Sequence, residues 1–329
     1  MQDKRISWID DAKMFAMFCV VFGHISDLFS KNIVGFHQIN AWIISFNMAI
    51  FVFLSGYTSY SGLNKIFNIK DYLQYVYKIG KRLLIPTLTF SLLALILSKS
   101  ISHALGEAWF LKMLFRLLLI SSTIILITNF FSIKDKYKII FSILFLLISL
   151  SGLLGNNTTE WGFYFIGGFL FKKYCVIDTI FKYKKIVISI LVITLILGIY
   201  GESLWSDKYN FYLYSWKDLY ENNIIGFFFE RQTLAFMWIF FFIFFIKIIS
   251  RKYTKFSYFG TKTLGIYLVH GLIFGCFLKN KIFICFSESI WMLGLIFISA
   301  ILLTLFSLLI IKILEYNKWT KLFFLGEIK

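Results

Sequence analysis

Long apolar runs recur along the whole chain, and they limit its possible folds more than any other feature. A helix needs about 20 mainly apolar residues to cross the hydrocarbon core of a membrane, with a range of about 17–25. The composition agrees, since 59% of the residues are hydrophobic, compared with roughly 45–50% in soluble domains. The pattern predicts ten membrane-spanning helices, near residues 13–30, 39–60, 83–99, 112–132, 137–154, 160–173, 186–201, 223–248, 262–278 and 288–313.

The fold class follows from the character of these runs. The chain has one proline, which suits helices better than a loop-rich fold. It also lacks the alternating segments of ~10 residues that mark outer-membrane barrels. No repeat, linker or soluble segment divides it. We therefore predict an all-α, polytopic integral membrane protein that forms one domain over residues 1–329.

Basic residues are concentrated in alternate loops. The net charge is +17, but the Lys and Arg residues stand in short segments between apolar runs and form no basic face on a soluble domain. This distribution argues against nucleic-acid binding and indicates contact with anionic lipids. Because cytoplasmic loops of membrane proteins carry the excess of Lys and Arg, we predict that both chain ends are cytoplasmic.

The cysteines and the N-terminus lead to two predicted absences. Cys19, Cys175, Cys276 and Cys285 show neither paired nor metal-type spacing, so we predict no disulfide and no metal site. The first apolar run lacks the small-residue cleavage site of a signal peptide. We therefore expect this run to remain as a membrane anchor.

Lys13 and His24 stand at the two ends of the apolar stretch KMFAMFCVVFGH, eleven residues apart. On a helix this separation is about 1100°, or three turns plus roughly 20°, so both side chains share one face about 16 Å apart along the axis. Two interpretations stay open. His24 is satisfied by neighbouring helices while Lys13 reaches the headgroups, or His24 is a general base in a channel with a cation at its mouth. Asp10 and Asp11, before this run, are expected to be helix N-caps.

Six segments, in order along the chain, resemble one family of membrane enzymes. The opening segment ISWIDDAKMFAMFCVVFGHI is similar to the start of the acyltransferase-3 family, which has a basic residue, ten intervening residues and a histidine. It most resembles the fucose 4-O-acetylase-like branch of that family. The other similar segments are SFNMAIFVFLSGYT (45–58), KRLLIP (81–86), AWFLKMLF (108–115), FYFIGGFLFKK (163–173) and FGTKTLGIYLVHGLIF (259–274).

The resemblance implies a membrane O-acyltransferase. Its donor would be cytoplasmic acetyl-CoA, its acceptor a hydroxyl of a cell-surface or lipid-linked glycan, and its location a bacterial inner membrane. His24 is then the expected catalytic base, and Lys13 is expected at the donor site. The acyl group either passes directly to the acceptor or first forms an acyl-histidine.

Two further residues are candidates for the catalytic centre. Where the branch usually has a histidine in its second helix, this chain has Asn47. An amide donates and accepts hydrogen bonds but carries no proton at neutral pH, so we expect Asn47 to position the substrate. Glu160 either orients a sugar hydroxyl or polarises His24, or it lies in the first turn of a helix capped by Thr158 or Thr159.

Three residues are candidates for binding acetyl-CoA. Lys81 and Arg82 precede the third run, where the family has basic residues near the phosphates, although they are also a plain topology signal. Arg82 suits phosphate better, because a guanidinium binds it with two parallel hydrogen bonds. Tyr57 is expected to line the acyl-donor pocket. The neighbouring pair Ser55-Gly56 is interpreted as a packing contact, with a serine nucleophile as the alternative.

Three residues within apolar runs are candidates for binding the acceptor. His270 matches the family's late histidine, and it either binds substrate or is satisfied by neighbouring helices. Glu230 and its neighbour Arg231 point about 100° apart on a helix and cannot pair readily. Arg116 is a candidate partner for Glu230, and this region would suit an anionic glycan carrier.

Two other functions fit parts of the pattern. A non-enzymatic transporter or flippase for lipid-linked glycans also needs polar residues inside the bundle and a basic inner face, but it does not require coenzyme A. A membrane glycosyltransferase usually has acidic residues in a large outer loop, and only residues 202–222 offer such a loop here.

Overall fold

The structure is a computed structural model that describes residues 6–29, 34–99, 108–131, 156–205, 225–250, 255–278 and 290–327. Helices are the only regular secondary structure within these ranges. The helices are α1 Ser7–Phe29, α2 Val34–Leu63, α3 Ile69–Ser98, α4 Trp109–Phe130, α5 Asn156–Lys173, α6 Val176–Ile180, α7 Lys184–Trp205, α8 Ile225–Ile249, α9 Lys255–Gly260, α10 Thr263–Ile273 with a π-helical continuation Phe274–Leu278, α11 Ile290–Leu314 and α12 Lys318–Leu325.

Six helices in the described part of the chain are long and apolar enough to cross a membrane. They are α2, α3, α4, α7, α8 and α11, and each coincides with a predicted run. A shorter apolar helix covers Thr263–Phe277. The predicted run 137–154 lies outside the described residues, while α1 and α5 are helices at the predicted places but are not among the six. The chain is thus an all-α integral membrane protein, as predicted.

Several helices extend beyond the apolar runs that predict them. α3 begins at Ile69 instead of near residue 83 and includes Pro86 within it. Lys81 and Arg82 therefore lie inside this helix, not before it. The physical reason is that hydropathy marks the part of a helix that lies in hydrocarbon, whereas backbone hydrogen bonds continue the helix into the more polar region beyond.

The chain forms two compact units, each assembled from separate segments. The first comprises Met1–Met48, Lys81–Lys112 and Phe245–Lys329, and the second comprises Ala49–Gly80 and Met113–Phe244. Within the first unit, α1 packs beside α9, α10 and α11. The prediction of one domain over the whole chain stays a prediction.

Glycines allow close helix contact in the second unit. A Cβ atom added to Gly56 in α2 would lie 1.9 Å from the carbonyl oxygen of Phe165, and one added to Gly168 in α5 would lie 1.9 Å from that of Phe53. Only a residue without a side chain fits at either position, as is usual where membrane helices approach closely. The interpretation of Gly56 as a packing residue is therefore confirmed.

Candidate functional site

Two histidines from separate helices lie side by side in the first unit. The ring centroids of His24 in α1 and His270 in α10 are 5.6 Å apart, with 39° between the ring planes. Their exposure differs, because His24 is partly exposed whereas His270 is only 1% exposed. The predicted base and the predicted acceptor-binding histidine are thus brought together, and His24 is the less buried member of the pair.

The hydrogen bonding of His270 identifies its tautomer. Its Nδ1 lies 2.7 Å from the carbonyl oxygen of Ile266, one turn earlier in α10. A carbonyl oxygen only accepts hydrogen bonds, so Nδ1 carries the hydrogen and donates it. In the neutral ring Nε2 is then an acceptor. This Nε2 is buried and has no hydrogen-bond partner among the described residues, which is costly for a polar atom inside a protein.

Aromatic side chains surround the two histidines. The ring of Phe274 lies 4.9 Å from that of His24, and the ring of Tyr267 lies 6.0 Å from that of His270. The backbone N–H of Phe110 donates a hydrogen bond of 3.3 Å to the hydroxyl of Tyr267. Phe274 is also the residue where α10 changes to a π-helix, a local widening that is frequent at functional sites. These rings form an apolar surround in which a hydrogen bond between polar groups is stronger than in water.

Asp11 joins α1 to the segment that leads to α10. Its carboxylate accepts hydrogen bonds from the hydroxyls of Ser250 and Ser257, the latter at 2.6 Å. Asp10 and Asp11 are buried at 4% and 7% exposure and lie within α1, so the prediction that they are N-caps is wrong. The helix begins at Ser7, and its early turns are buried in the first unit, which is why the Asp11 carboxylate finds partners from another segment.

A second contact beside Asp11 fixes the backbones of the same two segments. A Cβ atom added to Gly260 would lie 1.9 Å from the carbonyl oxygen of Asp10. His24 follows Asp11 by thirteen residues, and His270 follows Ser257 by the same number. Contacts at the start of α1 thus set the register in which the two histidines meet further along.

Asn47 and Lys13, two further predicted site residues of the first unit, differ in burial. Asn47 in α2 is 6% exposed, and its side-chain oxygen accepts a hydrogen bond of 2.5 Å from the backbone N–H of Met48. Its NH₂ group is the donor that could serve a ligand. Lys13 is partly exposed on α1.

The two basic residues predicted to bind phosphate differ in exposure. Arg82 is exposed and Lys81 is partly buried within α3. The backbone of Arg82 packs against Gly326, whose φ of 63° favours glycine. A Cβ atom added there would lie 2.4 Å from the carbonyl oxygen of Arg82. This contact joins the middle of α3 to the residue that ends α12.

Four candidates lie in the second unit. Tyr57 is 2% exposed, and the ammonium of Lys172 lies 5.2 Å from its ring centroid, a cation–π contact. Arg116 is exposed and Glu230 is partly exposed, and their pairing stays a prediction.

The fourth candidate in that unit is Glu160, whose side chain lies outside the described residues. α5 begins at Asn156, so Thr158 and Thr159 are inside the helix and are not its caps. The interpretation of Glu160 as a first-turn residue capped by either threonine is therefore wrong. Its predicted role near the substrate stays a prediction.

Two contacts of the site escaped the sequence prediction. Asp11 was available as a carboxylate just before an apolar run, but its serine partners are distant in sequence. Phe274 lies one turn after His270, a spacing that indicates a shared face. Within the described ranges, no group of three or more His, Cys, Asp or Glu side chains could hold a metal ion.

Comparison with protein families gives one match, which covers residues 6–313. The matching family is Acyl_transf_3, described as an acyltransferase domain. Comparisons with curated proteins and with solved structures give no significant match. The matched range contains the second unit, most of the first unit, and both histidines.

Proposed function

The chain belongs to the acyltransferase-3 family, and from this we propose that it transfers an acetyl group from cytoplasmic acetyl-CoA to a hydroxyl of a cell-surface or lipid-linked glycan. Membership of the family supports acyl transfer in general. The finer proposal, an O-acetyltransferase of the fucose 4-O-acetylase-like branch in a bacterial inner membrane, rests on the similar segments and on the distribution of basic residues.

The placement of His24 opposite His270 carries the proposal. An ionisable residue inside a membrane protein is costly and usually functional, and here two imidazoles share one aromatic site. His24 is the less buried of the two, and we assign it as the ring that meets the acceptor. In the proposed reaction it takes the proton of the acceptor hydroxyl, the oxygen bonds to the acyl carbon, and the carbon–sulfur bond breaks. The imidazolium then returns the proton to the coenzyme A thiolate.

The developing charge on the acyl oxygen needs a donor. Asn47 belongs to the same unit as His24, and its oxygen is already occupied by the Met48 N–H. The free donor capacity is therefore on the NH₂ group, which is the side of the amide that stabilises an oxyanion. Tyr57 offers an alternative donor, and Glu160 an orienting carboxylate.

Binding roles follow the sidedness of the chain. Lys13, Lys81 and Arg82 are proposed to bind the phosphates of acetyl-CoA, with Tyr57 at its acyl arm. Arg116 and Glu230 are proposed to bind the glycan acceptor. In the predicted orientation both chain ends are cytoplasmic, so the segment before His24 meets the donor first.

Two measurements test donor and acceptor separately. Purified protein should be stabilised by acetyl-CoA, because a ligand that binds only the native state raises the melting temperature. No shift up to millimolar acetyl-CoA would favour a transporter of lipid-linked glycans. Mass spectrometry of cell-surface glycans from strains with and without the gene should show an added acetyl mass only when the gene is present. Equal spectra would contradict the glycan acceptor.

A further inference from the structure

We propose that His270 is a positioning residue that fixes the tautomer of His24. In this arrangement the Nε2 of His270 accepts a hydrogen bond from one nitrogen of His24, and the other nitrogen of His24 is left as the base. The inference deepens the proposed function and rests on it for the role of His24. It assigns His270 a part that differs from acceptor binding.

The hydrogen bond between His270 and Ile266 fixes the direction in which His270 can continue a hydrogen-bond chain. Nδ1 of His270 donates to the carbonyl oxygen of Ile266 at 2.7 Å, and a carbonyl oxygen has no hydrogen to give back. The neutral ring therefore presents only a lone pair at Nε2. A group that completes the chain must bring an N–H or O–H to this atom.

Burial limits which groups can reach Nε2 of His270. His270 is 1% exposed and its Nε2 is fully buried without a hydrogen-bond partner in the described part of the chain. A bulky glycan or thioester has no access to this atom in the described conformation. His24 is the neighbouring imidazole, with its ring centroid 5.6 Å away, and it has the N–H that Nε2 requires.

The distance between the rings of His24 and His270 is close to that of a hydrogen-bonded pair. A linear hydrogen bond between two imidazoles places their ring centroids about 5.2 Å apart, given a nitrogen–nitrogen separation of about 2.9 Å. The observed 5.6 Å exceeds this by a few tenths of an ångström. Catalytic hydrogen bonds are often long in structures without ligands and shorten when substrate binds. A shift of the His24 ring toward His270 by about 0.4 Å closes the difference.

The two rings therefore have different roles, with His270 as the positioning residue and His24 as the base. A base oriented by a third group is the general arrangement of nucleophile-activating sites. Here the carbonyl of Ile266 holds His270, and His270 holds His24. The base nitrogen of His24 then carries the lone pair that takes the acceptor proton, whereas an isolated imidazole divides its population between two tautomers.

The test uses the reactivity of His24 without any substrate. Carbethoxylation by diethyl pyrocarbonate is measured at His24 by peptide mass spectrometry in purified protein, in His270→Phe and in His270→Gln. Phenylalanine fills the ring volume but has no acceptor, whereas the glutamine amide retains an acceptor near Nε2. We expect the rate at His24 to fall roughly tenfold in His270→Phe, the lower end of the effects seen for partners that orient a reactive ligand, and less than threefold in His270→Gln.

Controls separate positioning from damage to the fold. Leu268→Ala removes a side chain that is 1% exposed in the same helix, so it lowers the melting temperature but should leave the His24 rate unchanged. In wild-type protein, ¹⁵N spectra should show a protonated Nδ1 and an unprotonated Nε2 at His270. An unchanged His24 rate in His270→Phe, or a protonated Nε2, overturns the proposal.

Turnover distinguishes failure of this inference from failure of the proposed function. If the inference holds, His270→Phe lowers kcat for acetyl transfer about 100-fold, within the range of a general-base contribution, and leaves the KM for acetyl-CoA unchanged. If acetyl transfer is absent in wild type while carbethoxylation still depends on residue 270, the proposed function fails and the positioning of His24 stands.

Discussion

Gly260 lies against the carbonyl oxygen of Asp10, so close that a single added carbon would overlap it at 1.9 Å. The contact is backbone against backbone, and no side chain can move aside to relieve it. It therefore holds α1 beside α9 in one register. The positions of His24 and His270 depend on this register, because both follow the contact on helices that run in the same direction.

Gly260→Ala is predicted to damage both stability and the site. The added methyl group must displace α1, and overpacking of this kind typically costs about 1–3 kcal/mol. We expect a lower melting temperature and a kcat at least roughly tenfold lower, since small displacements of catalytic groups have large effects. Melting by intrinsic fluorescence and acetyl transfer by the same preparation measure both.

Gly294→Ala is the matched control for that variant. It changes a glycine in α11 whose added Cβ would meet nothing within 4 Å. Alanine is favoured over glycine in a helix by up to about 1 kcal/mol, so this variant should be as stable as wild type or more so. Equal effects of the two substitutions would show that the Asp10 contact has no special role.

Ser257→Ala is predicted to destabilise the first unit through Asp11. The substitution removes one of two hydroxyl donors from a buried carboxylate, and loss of a partner for a buried charged group costs about 1–3 kcal/mol or more. Thr261→Ala is the control, because that exposed hydroxyl bonds only the carbonyl of Tyr258 within its own segment.

The coupling between Ser257 and Asp11 can be measured directly. A double-mutant cycle combines Ser257→Ala with Asp11→Asn. For residues in direct contact, the changes in unfolding free energy typically deviate from additivity by about 0.5–3 kcal/mol. We expect Ser257→Ala to have little further effect once Asp11 is neutral. Strict additivity of the two unfolding free energies would show that the hydrogen bond between Ser257 and Asp11 does not stabilise the first unit.

Substitutions at Ser55 and Gly56 test whether this pair packs against a neighbouring helix or takes part in the chemistry. A Cβ atom at Gly56 would overlap the Phe165 carbonyl, whereas Ser55 is only partly buried. Gly56→Ala is therefore expected to lower the melting temperature, with a cost of about 1–3 kcal/mol. Ser55→Ala should retain acetyl transfer within roughly twofold, as expected for a substitution away from the reacting atoms. Loss of all activity in Ser55→Ala would instead support the alternative that Ser55 is a nucleophile.

The ion pair between Lys262 and Glu315 predicts a pH-dependent contribution to stability. Burial alone lowers the pKa of Lys262, but the hydrogen bond with Glu315 and the charges of Glu327 and Glu315 raise it overall above its ordinary value of 10.5. A folded-state pKa above the unfolded value means that the pair stabilises fully at neutral pH. The contribution is lost as the pH rises through the raised pKa.

Glu315→Gln tests this pair. At pH 7 the variant should melt about 2 °C lower than wild type, corresponding to roughly 1 kcal/mol for a partly exposed pair. Once the pH has risen past the raised pKa of Lys262, the two proteins should melt together. A constant difference across this range would contradict the role of the Lys262 charge.

The sequence predicted the helices well because membrane spans are read from composition. Each of α2, α3, α4, α7, α8 and α11 coincides with an apolar run, since hydrocarbon requires roughly 20 apolar residues whatever the neighbours are. Helix ends were less predictable. α3 starts well before its apolar run, because its first turns carry Lys70, Asp71 and Lys78 and hydropathy cannot report a helix outside the hydrocarbon.

The site itself was predictable only one helix at a time. Helical geometry placed Lys13 and His24 on one face, because both belong to α1. The meeting of His24 with His270, and of Asp11 with Ser257, depends on tertiary packing between distant segments. No local pattern contains that information, which also explains why Asp11 was assigned to a cap.

Acetyl transfer by purified protein with His24 replaced tests directly whether His24 is the catalytic base. Acetyl-CoA and the glycan fraction of the host envelope serve as substrates, and His24→Gln and His24→Ala are compared with His103→Ala at equal protein levels. We expect both His24 variants to lose at least roughly 100-fold in kcat, the scale of a general base, while His103→Ala stays near wild type. Near-normal transfer by both His24 variants would contradict this role of His24.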